Sequence, residues 1–392
     1  MMRIALAHNY YQQPGGEDQV FAAEGDLLLR HGHQVFFYKE HNRRIDGMNP
    51  LAVAAQTIWS HSTKDAFRSF LRENTPDVVH FHNTFPLMSP AVYAACREEG
   101  VAVVQTLHNY RLICPAATLF RDGHACEDCV GRSLPWPGIR HACYRHSRVQ
   151  TSVVAAMLAI HNAAGTWRKS IDRYICLTKF ARQTFVRGGL PEKKLMIKPN
   201  FINAKDLTRD DEGEYALYVG RLSHEKGVRT LLNAWEKLPS IPLYIIGDGP
   251  LHSEVESKAA TLSSVKFLGR QNHDRVLASM KSARFLIFPS ICYEGFPMTI
   301  VEAFANGLPV IASKIGGMGE IITAGKTGLH FSPGDVGNLA ETVARAWVSP
   351  ADAIRMGKDA RAEFESKYSP DKNYEMLLAI YKQAMSDATS SR

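Results

Sequence analysis

The chain has 392 residues, 45% hydrophobic and 22% charged, with a formal net charge of +7. This suffices for two globular domains with their own cores and excludes a disordered chain. The longest apolar run, Val153 to Ile160, is far below the ~18–20 residues of a bilayer-spanning helix. Met1 to Asn9 runs straight into a strand without a signal-peptide core, so a cytoplasmic location is expected.

In chain order, Arg3 to His8 reads as a buried strand, followed by Asn9 to Gln13 and Pro14-Gly15-Gly16-Glu17-Asp18. A helical pattern through Val20, Phe21, Leu27, Leu28 and Leu29 stops at His31-Gly32-His33, and Gln34 to Tyr38 is the next strand. This is a βαβ opening. Gly15 and Gly16 stand at its sharp turn, where the backbone can approach a ligand closely; the dinucleotide fingerprint Gly-x-Gly-x-x-Gly is absent. Residues 50 to 72 read as helical. Asp77 to Phe81 and Val101 to Leu107 read as strands that end in His82-Asn83 and His108-Asn109. Both ends should face one crevice, where a histidine is suited to bind a sugar hydroxyl or move a proton near neutral pH. His82, Asn83 and His108 are therefore candidate substrate contacts; the competing reading is that they satisfy buried backbone groups.

Cys114, Cys126, Cys129 and Cys143 follow as Cys-x11-Cys-x2-Cys-x13-Cys, in a loop rich in turn residues and poor in periodicity. In a cytosolic protein this spacing favours a structural zinc held by four thiolates. His124, His141 and His146 are substitute ligands, and two disulfides, a redox pair or plain thiols are the other readings. Between Arg132 and Lys194 there are twelve Lys/Arg residues against Asp172 and Glu192. Such a bias suits an anionic partner, a membrane face or a diphosphate-linked lipid. No nucleic-acid-binding signature accompanies it, so nucleic acid is not the expected partner. The other reading is a solvated surface.

A helix over 151–164, a strand from Arg173 to Thr178 and a helix over 179–187 lead to a polar linker over Lys205 to Glu214, which sets a domain boundary near residue 200. The α/β rhythm then resumes. Tyr215 to Val219 is a strand, and the loop Gly220 to Gly227 after it carries Arg221 and Lys226, two fixed cations suited to a diphosphate. Strands follow at Pro242 to Ile246, ending in Gly247-Asp248-Gly249, and at Val265 to Leu268, ending in Gly269-Arg270. Arg284 to Ser290 is a buried strand, followed by Tyr293-Glu294-Gly295-Phe296-Pro297 and a helix from Met298 to Ala305. That helix start offers free N–H groups and a positive dipole end to an anion, and Glu294 and Glu302 frame it. Strands at Pro309 to Ala312 and Gly328 to Phe331 and helices over 335–348, 350–365 and 371–386 complete the chain. No Asp-x-Asp metal clamp occurs, so no catalytic metal is expected.

The Glu-x7-Glu pattern with Gly-Phe-Pro after its first glutamate resembles the retaining glycosyltransferases of the glycogen-synthase-like superfamily, family four. Gly-Gly-Glu near the start and the Arg221 to Gly227 loop are similar to the same family. The resemblance implies an α/β GT-B fold, two doubly wound Rossmann-like domains facing across a cleft. Residues 1–200 would bind the acceptor and carry the Cys-rich loop 111–146, which the family pattern does not require. Residues 201–370 would bind a nucleotide diphosphate sugar, and 371–392 would cross back. In this frame Glu294, His108, Arg221 and Lys226 are the catalytic set. Glu302 holds the ribose hydroxyls, while Gly16, Phe296, Pro297, Met298, Thr299, Gly269 and Arg270 complete the donor site. Gly15, His82 and Asn83 face the substrate. The acceptor expected is a saccharide or lipid-linked saccharide, with a peripheral location at the inner membrane face. The alternatives are a nucleotide-sugar epimerase or hydrolase, or a non-catalytic protein docking through its cysteine loop.

Overall fold

The computed structural model describes residues 1–13, 15–203 and 213–390; Pro14 and most of the expected polar linker lie outside them. The chain divides into two compact units. The first comprises Met1–Leu119, Glu127–Asn200 and the chain from Asn373 onward, the second Phe120–Cys126 and Phe201–Lys372.

The strands of the first half are, in order, β1 (Arg3–Tyr10), β2 (Gln34–His41), β3 (Val78–Asn83), β4 (Ala102–Leu107), β5 (Phe120–Arg121), β6 (His124–Ala125), β7 (Arg173–Cys176) and β8 (Leu195–Ile197). β5 and β6 form a separate antiparallel hairpin. The other six make a parallel sheet in the order β2-β1-β3-β4-β7-β8. Every residue of β3 and β4 is buried, as expected of a parallel sheet covered on both faces. The strand order reverses between β1 and β3, and their carboxyl ends carry His8, Asn9, His82 and Asn83.

The helical stretch expected over 50–72 is two helices, Pro50–Ile58 and His61–Asn74. They part at Trp59-Ser60, where the Ser60 hydroxyl accepts from the Thr63 N–H at 3.2 Å and caps the second helix. The closing helix Pro370–Ser390 contributes to the first unit from Asn373: the Tyr374 hydroxyl bonds His33 at 2.9 Å and the Tyr381 hydroxyl bonds His80 Nδ1 at 2.8 Å.

Inside the first unit lies a fully buried ion pair. Glu24, on the helix Gly16–Arg30, accepts from Lys198 Nζ at 2.6 Å, and both side chains are at 0% exposure. Lys198 also donates to Asn373 Oδ1 at 3.3 Å, while His80 and His82 stand 3.5 and 3.4 Å from the second Glu24 oxygen. Burial alone would push the Glu24 carboxyl up; Lys198 and the two histidines hold it well below the usual carboxylate range.

In the second unit six parallel strands, β9 (Tyr215–Val219), β10 (Leu243–Ile246), β11 (Val265–Gly269), β12 (Ala283–Phe288), β13 (Val310–Ser313) and β14 (Gly328–Phe331), follow the order β11-β10-β9-β12-β13-β14. Alternate residues serve opposite cores. Ala216, Tyr218, Phe285 and Ile287 pack with the helix Val228–Trp235 on one face. Tyr215, Leu217, Leu286 and Phe288 pack with the helix Met298–Ala305 on the other. The order reverses between β9 and β12, which puts the ligand-binding crevice of such a sheet at the ends of these two strands.

Removing one partner of a buried ion pair leaves an uncompensated charge, at a cost of ~3–5 kcal/mol. Lys198→Met should therefore destabilise the chain by about that amount in urea denaturation, and Glu24→Gln added to it should restore most of the loss.

Candidate donor and acceptor sites

β9 and β12 are hydrogen-bonded neighbours, so the loops that leave them lie side by side. The first, Gly220 to Gly227, ends in a 3-10 turn over His224–Lys226. The second, Pro289 to Pro297, leads into the helix Met298–Ala305. Two backbone-directed contacts join them: the Ile291 N–H donates to the Glu225 carbonyl at 2.9 Å, and the Ser290 hydroxyl lies 3.1 Å from the same oxygen. Gly227 makes the approach feasible. Its φ is +70°, and a Cβ there would lie 1.8 Å from the Pro289 carbonyl oxygen. Gly247 serves similarly after β10, since a Cβ would stand 1.9 Å from the Gly220 carbonyl oxygen.

This junction brings Lys226 and Glu294 together. Lys226 Nζ donates to both Glu294 carboxylate oxygens at 2.8 Å, and Ser290 donates to Oε1 at 2.6 Å. Burial would lower the ammonium's pKa, but the adjacent Glu294 carboxylate outweighs it and raises it, so Lys226 stays charged. Cys292, buried beside Glu294, has its thiol pushed up to about 12, first by burial and then by that carboxylate. It is a neutral neighbour.

Glu302 lies in the first turns of the helix, half-buried, and burial raises its carboxyl above the usual range against a smaller opposing effect of His273. Such a group gains by accepting hydrogen bonds. Phe296 packs near Tyr368, with ring centroids 6.0 Å apart. Pro297 is the N-cap, and Met298 and Thr299 open the helix. Arg221 is exposed on the first loop; Gly269, with φ +63° and open space about its Cα, and the exposed Arg270 end β11. Glu294, Glu302, Arg221, Lys226, Gly269 and Arg270 thus all lie at the carboxyl ends of strands in the second unit.

In the first unit, His82 Nδ1 and His108 Nε2 share a hydrogen bond at 3.0 Å, their rings stacked with centroids 5.2 Å apart. Burial pulls the His108 pKa well down, with neighbouring His82 acting in the same direction, so His108 is neutral. His82 is buried between His108 and Glu24 and orients His108 from behind. The Asn83 side chain donates to the Asn9 carbonyl at 2.6 Å and accepts from the Phe85 N–H at 3.0 Å; both ends of its amide hold the backbone. Gly15 caps the helix Gly16–Arg30: its N–H donates to Asp18 at 2.9 Å, the Asp18 N–H donates back to its carbonyl at 3.2 Å, and among the described residues, its chain neighbours aside, no atom lies within 4 Å of where its Cβ would be. Space remains there for a ligand.

Among the described residues, two side-chain groups bring three potential metal-ligand atoms within 4.8 Å of one another, Glu24-His80-His82 and His8-Glu17-Asp18. Lys198 already occupies the first, and in the second both Asp18 oxygens are engaged by His8 and Gly15. The cysteine segment is rich in turns, broken by the β5–β6 hairpin and a short helix, Trp136–Arg140. Cys114 and Cys129 are buried and Cys126 and Cys143 half-buried. Of the eight non-glycine residues with positive φ among those described, six lie here: Ala117, Leu119, Asp122, Ala142, Arg145 and His146.

Sequence patterns did not single out Ser290, the Glu225 carbonyl, or the Glu24–Lys198 pair. Ser290 was visible only as a polar residue ending an apolar run. Lys198 is 174 residues from Glu24, and no local pattern joins them.

The fold is that of the GT-B glycosyltransferases. The family model "Glycosyl transferases group 1" matches residues 200–363 and "Glycosyltransferase Family 4" matches residues 14–206. The D-rhamnosyltransferase WbpZ of Pseudomonas aeruginosa is 30% identical over 309 residues, covering 70% of this chain and 78% of that protein. The glycogen synthase of Mycobacterium tuberculosis is 36% identical over 159 residues, 39% of this chain and 38% of its own length. The chain spans between 39% and 60% of several other curated relatives. Among solved structures, HepE of Anabaena with UDP and glucose superposes with a TM-score of 0.67 at 16% identity, over 97% of this chain and 99% of that one. The chain belongs to the group 1, family 4 glycosyltransferases.

Two outcomes follow from this geometry. An L-residue in the left-handed region costs ~1–2 kcal/mol, and the Pro289 carbonyl adds a clash, so Gly227→Ala should lower the melting midpoint by several degrees and abolish nucleotide binding. Glu17, beside Gly16, has its carboxyl raised to about 8, first by burial and then by Asp18. The folded state then holds a proton that the unfolded state releases near its ordinary value, so this group's contribution falls as pH climbs from about 4.5 to about 8. Glu17→Gln should raise the melting midpoint at pH 8.5 and leave it unchanged near pH 4.

Proposed function

We propose that this chain is a retaining glycosyltransferase that moves a hexose-type sugar from a nucleotide diphosphate sugar to a saccharide or lipid-linked saccharide, in polysaccharide or glycolipid assembly. The observation that carries the reading is the Lys226–Glu294 pair at the β9/β12 switch point, with a helix N-terminus beside it. A sugar diphosphate needs both signs of charge at one place: cations for the departing phosphates and a carboxylate near the carbon that becomes electron-poor. HepE, which shares the fold, has been solved with UDP-glucose, which supports a nucleotide-sugar donor here.

In this mechanism Glu302 accepts hydrogen bonds from the ribose hydroxyls. Gly269 and Arg270 border the base. Main-chain N–H groups from Phe296 to Thr299 hold sugar hydroxyls and phosphate, and Gly16 lets the backbone meet the reacting phosphate. The bond between the anomeric carbon and the diphosphate oxygen breaks, and its electron pair stays with that oxygen, stabilised by Arg221 and Lys226. Glu294 holds sugar hydroxyls and opposes the positive charge at the anomeric carbon. The acceptor hydroxyl bonds to this carbon on the face the diphosphate left, and its proton passes to the departing phosphate oxygen. His108 supplies a neutral imidazole to the sugar, with His82 behind it and Gly15 and Asn83 at the substrate edge. Protein cations take the role a divalent ion has elsewhere, so no catalytic metal is required.

Cys114, Cys126, Cys129 and Cys143 would hold a structural zinc in this reading and so fix a segment with costly left-handed backbone conformations; among the described residues the groups that gather three ligand atoms include none of the four, so their sulfurs would have to close on the metal. The basic segment 132–194 favours peripheral contact with an anionic membrane face. Among the described residues no helix is long and apolar enough to cross a membrane.

Thermal shift with a panel of nucleoside diphosphates and their sugars tests the donor site. A ligand at 100 times its Kd should stabilise by about 2.7 kcal/mol; one base should stand out, and the gain should vanish in Glu302→Ala. Loss of one electrostatic contact of this kind costs ~3–4 kcal/mol in the transition state. Lys226→Ala and Glu294→Ala should each lower kcat a hundredfold or more, and near-normal turnover in both would refute the assignment. For the cysteine loop, native mass spectrometry should show one zinc that leaves on chelation.

A further inference from the structure

The reading of the acceptor as lipid-linked leaves open where its lipid would lie, and a cavity of the first unit answers this; the inference rests on that reading. Where β1 ends, Tyr11 to Gln13 run along a cavity of about 620 Å³, within the range of pockets that enclose a small ligand. The helices Pro50–Ile58 and Arg148–Ala163 pack together and supply most of its apolar lining, Val53, Ala54 and Val153 among it, while Phe85 and Tyr144 add aromatic surface. Leu51 and Val149, also on the lining, are 80% and 75% exposed. Large aliphatic side chains so exposed beside an apolar hollow mark a surface that gains by being covered.

Charge is confined to one part of the cavity. Arg145 lines it near Tyr144, 5.6 Å from that ring's centroid. The Arg111 guanidinium lies 4.3 Å from the Phe85 ring centroid and 5.0 Å from that of Tyr144. One Arg111 nitrogen donates to the Pro115 carbonyl, but its Nε is buried and has no hydrogen-bond partner among the described residues. Arg111 stands behind these rings rather than on the lining, and the exposed Arg145 is the charged side chain of the cavity wall, suited to a phosphate. An anionic group at Arg145 and hydrocarbon along the helices describe one amphiphile.

We infer that this groove takes the hydrocarbon chain of the acceptor lipid, with its phosphate or diphosphate at Arg145. A concave site enfolds a single chain, whereas a bilayer face would meet only the outlying Leu51 and Val149. An extended peptide would bring backbone N–H and C=O groups against aliphatic side chains that offer them no partner. The position also suits transfer, because Tyr11 to Gln13 lead directly to the Gly15-Gly16 turn.

The test is calorimetric titration of the full chain with farnesyl monophosphate, below its micelle concentration, against farnesol and inorganic phosphate. The phosphate ester should bind at least tenfold more tightly than either part. Ala54→Trp, which fills the groove, should weaken it at least tenfold, and Leu51→Asp severalfold. Arg145→Gln should weaken the ester and leave farnesol unchanged. Leu51 is so exposed that Leu51→Asp keeps the fold, so it decides the matter should Ala54→Trp fail to fold. Glu302→Ala, which removes a donor contact, should leave farnesyl monophosphate binding intact; binding here with no response to any nucleotide would sink the donor reading alone. Equal binding in wild type and the groove variants, or no binding by a protein that does bind a nucleotide, would overturn the groove. So would binding only to phosphatidylglycerol vesicles, lost in Leu51→Asp, which would mark a membrane contact instead.

Discussion

The second unit depends on the hydrogen bonding of β12 to β9. Lys226 and Glu294 are 68 residues apart, and each follows a different strand. They meet because the sheet grows outward in both directions from β9, leaving β9 and β12 as neighbours whose exit loops have no helix between them. The loops close on each other only because Gly227 has no Cβ to strike the Pro289 carbonyl. A salt bridge across the surface would contribute little. Here Glu294 is 11% exposed and Lys226 27% exposed, and Ser290 fixes one carboxylate oxygen further. Both charges are thus held in place before any ligand arrives.

The first unit resolves a different electrostatic problem. Its β1, β3 and β4 strands end in histidines where an all-apolar sheet would have aliphatic residues. Burial drives His80 and His108 down in pKa, so these rings are neutral and need no counter-ion. Glu24 then remains as the charge in their midst, and Lys198 is its counter-ion. The Lys198 ammonium also bonds Asn373, and Tyr381 bonds His80, so the closing helix is tied to the strand-end histidines by polar contacts as well as by burial of Leu377 and Tyr381. The chemistry-bearing edge and the last helix of the chain form one hydrogen-bonded unit.

How far these features could be read in the sequence follows from their range. The helix Met298–Ala305 and the strand β14 were legible to the residue, because Pro297, Gly307 and Gly328 punctuate them. The helices His252–Thr261 and His273–Ser282 escaped, since each buries only two residues, Val255 and Ala259 in one and Val276 and Met280 in the other. That is too little apolar periodicity to register. Glu294 and Glu302 were visible as a spaced pair in a distinctive setting. The partner of Glu294 was legible only as a cation in another loop; that Lys226 grips both carboxylate oxygens is a property of strand order. The Asn83 amide, legible as a polar group at a strand end, turns out to brace Asn9 and Phe85.

The same logic bears on why Lys226 is paired at all in the absence of a ligand. An unpaired ammonium in this half-buried position would lose charge or swing outward to water. Paired with Glu294, it stays charged and fixed at the carboxyl end of β9, where the proposed mechanism has negative charge develop on a departing diphosphate. Glu294 benefits equally, because the lysine and Ser290 orient its oxygens without consuming every lone pair on them. A sugar hydroxyl can therefore bond Glu294 while the ion pair persists, and a phosphate can approach the remaining face of the ammonium. In the proposed mechanism the pair need not break for the donor to bind, so the electrostatic arrangement it invokes for the transition state is already present in the resting protein.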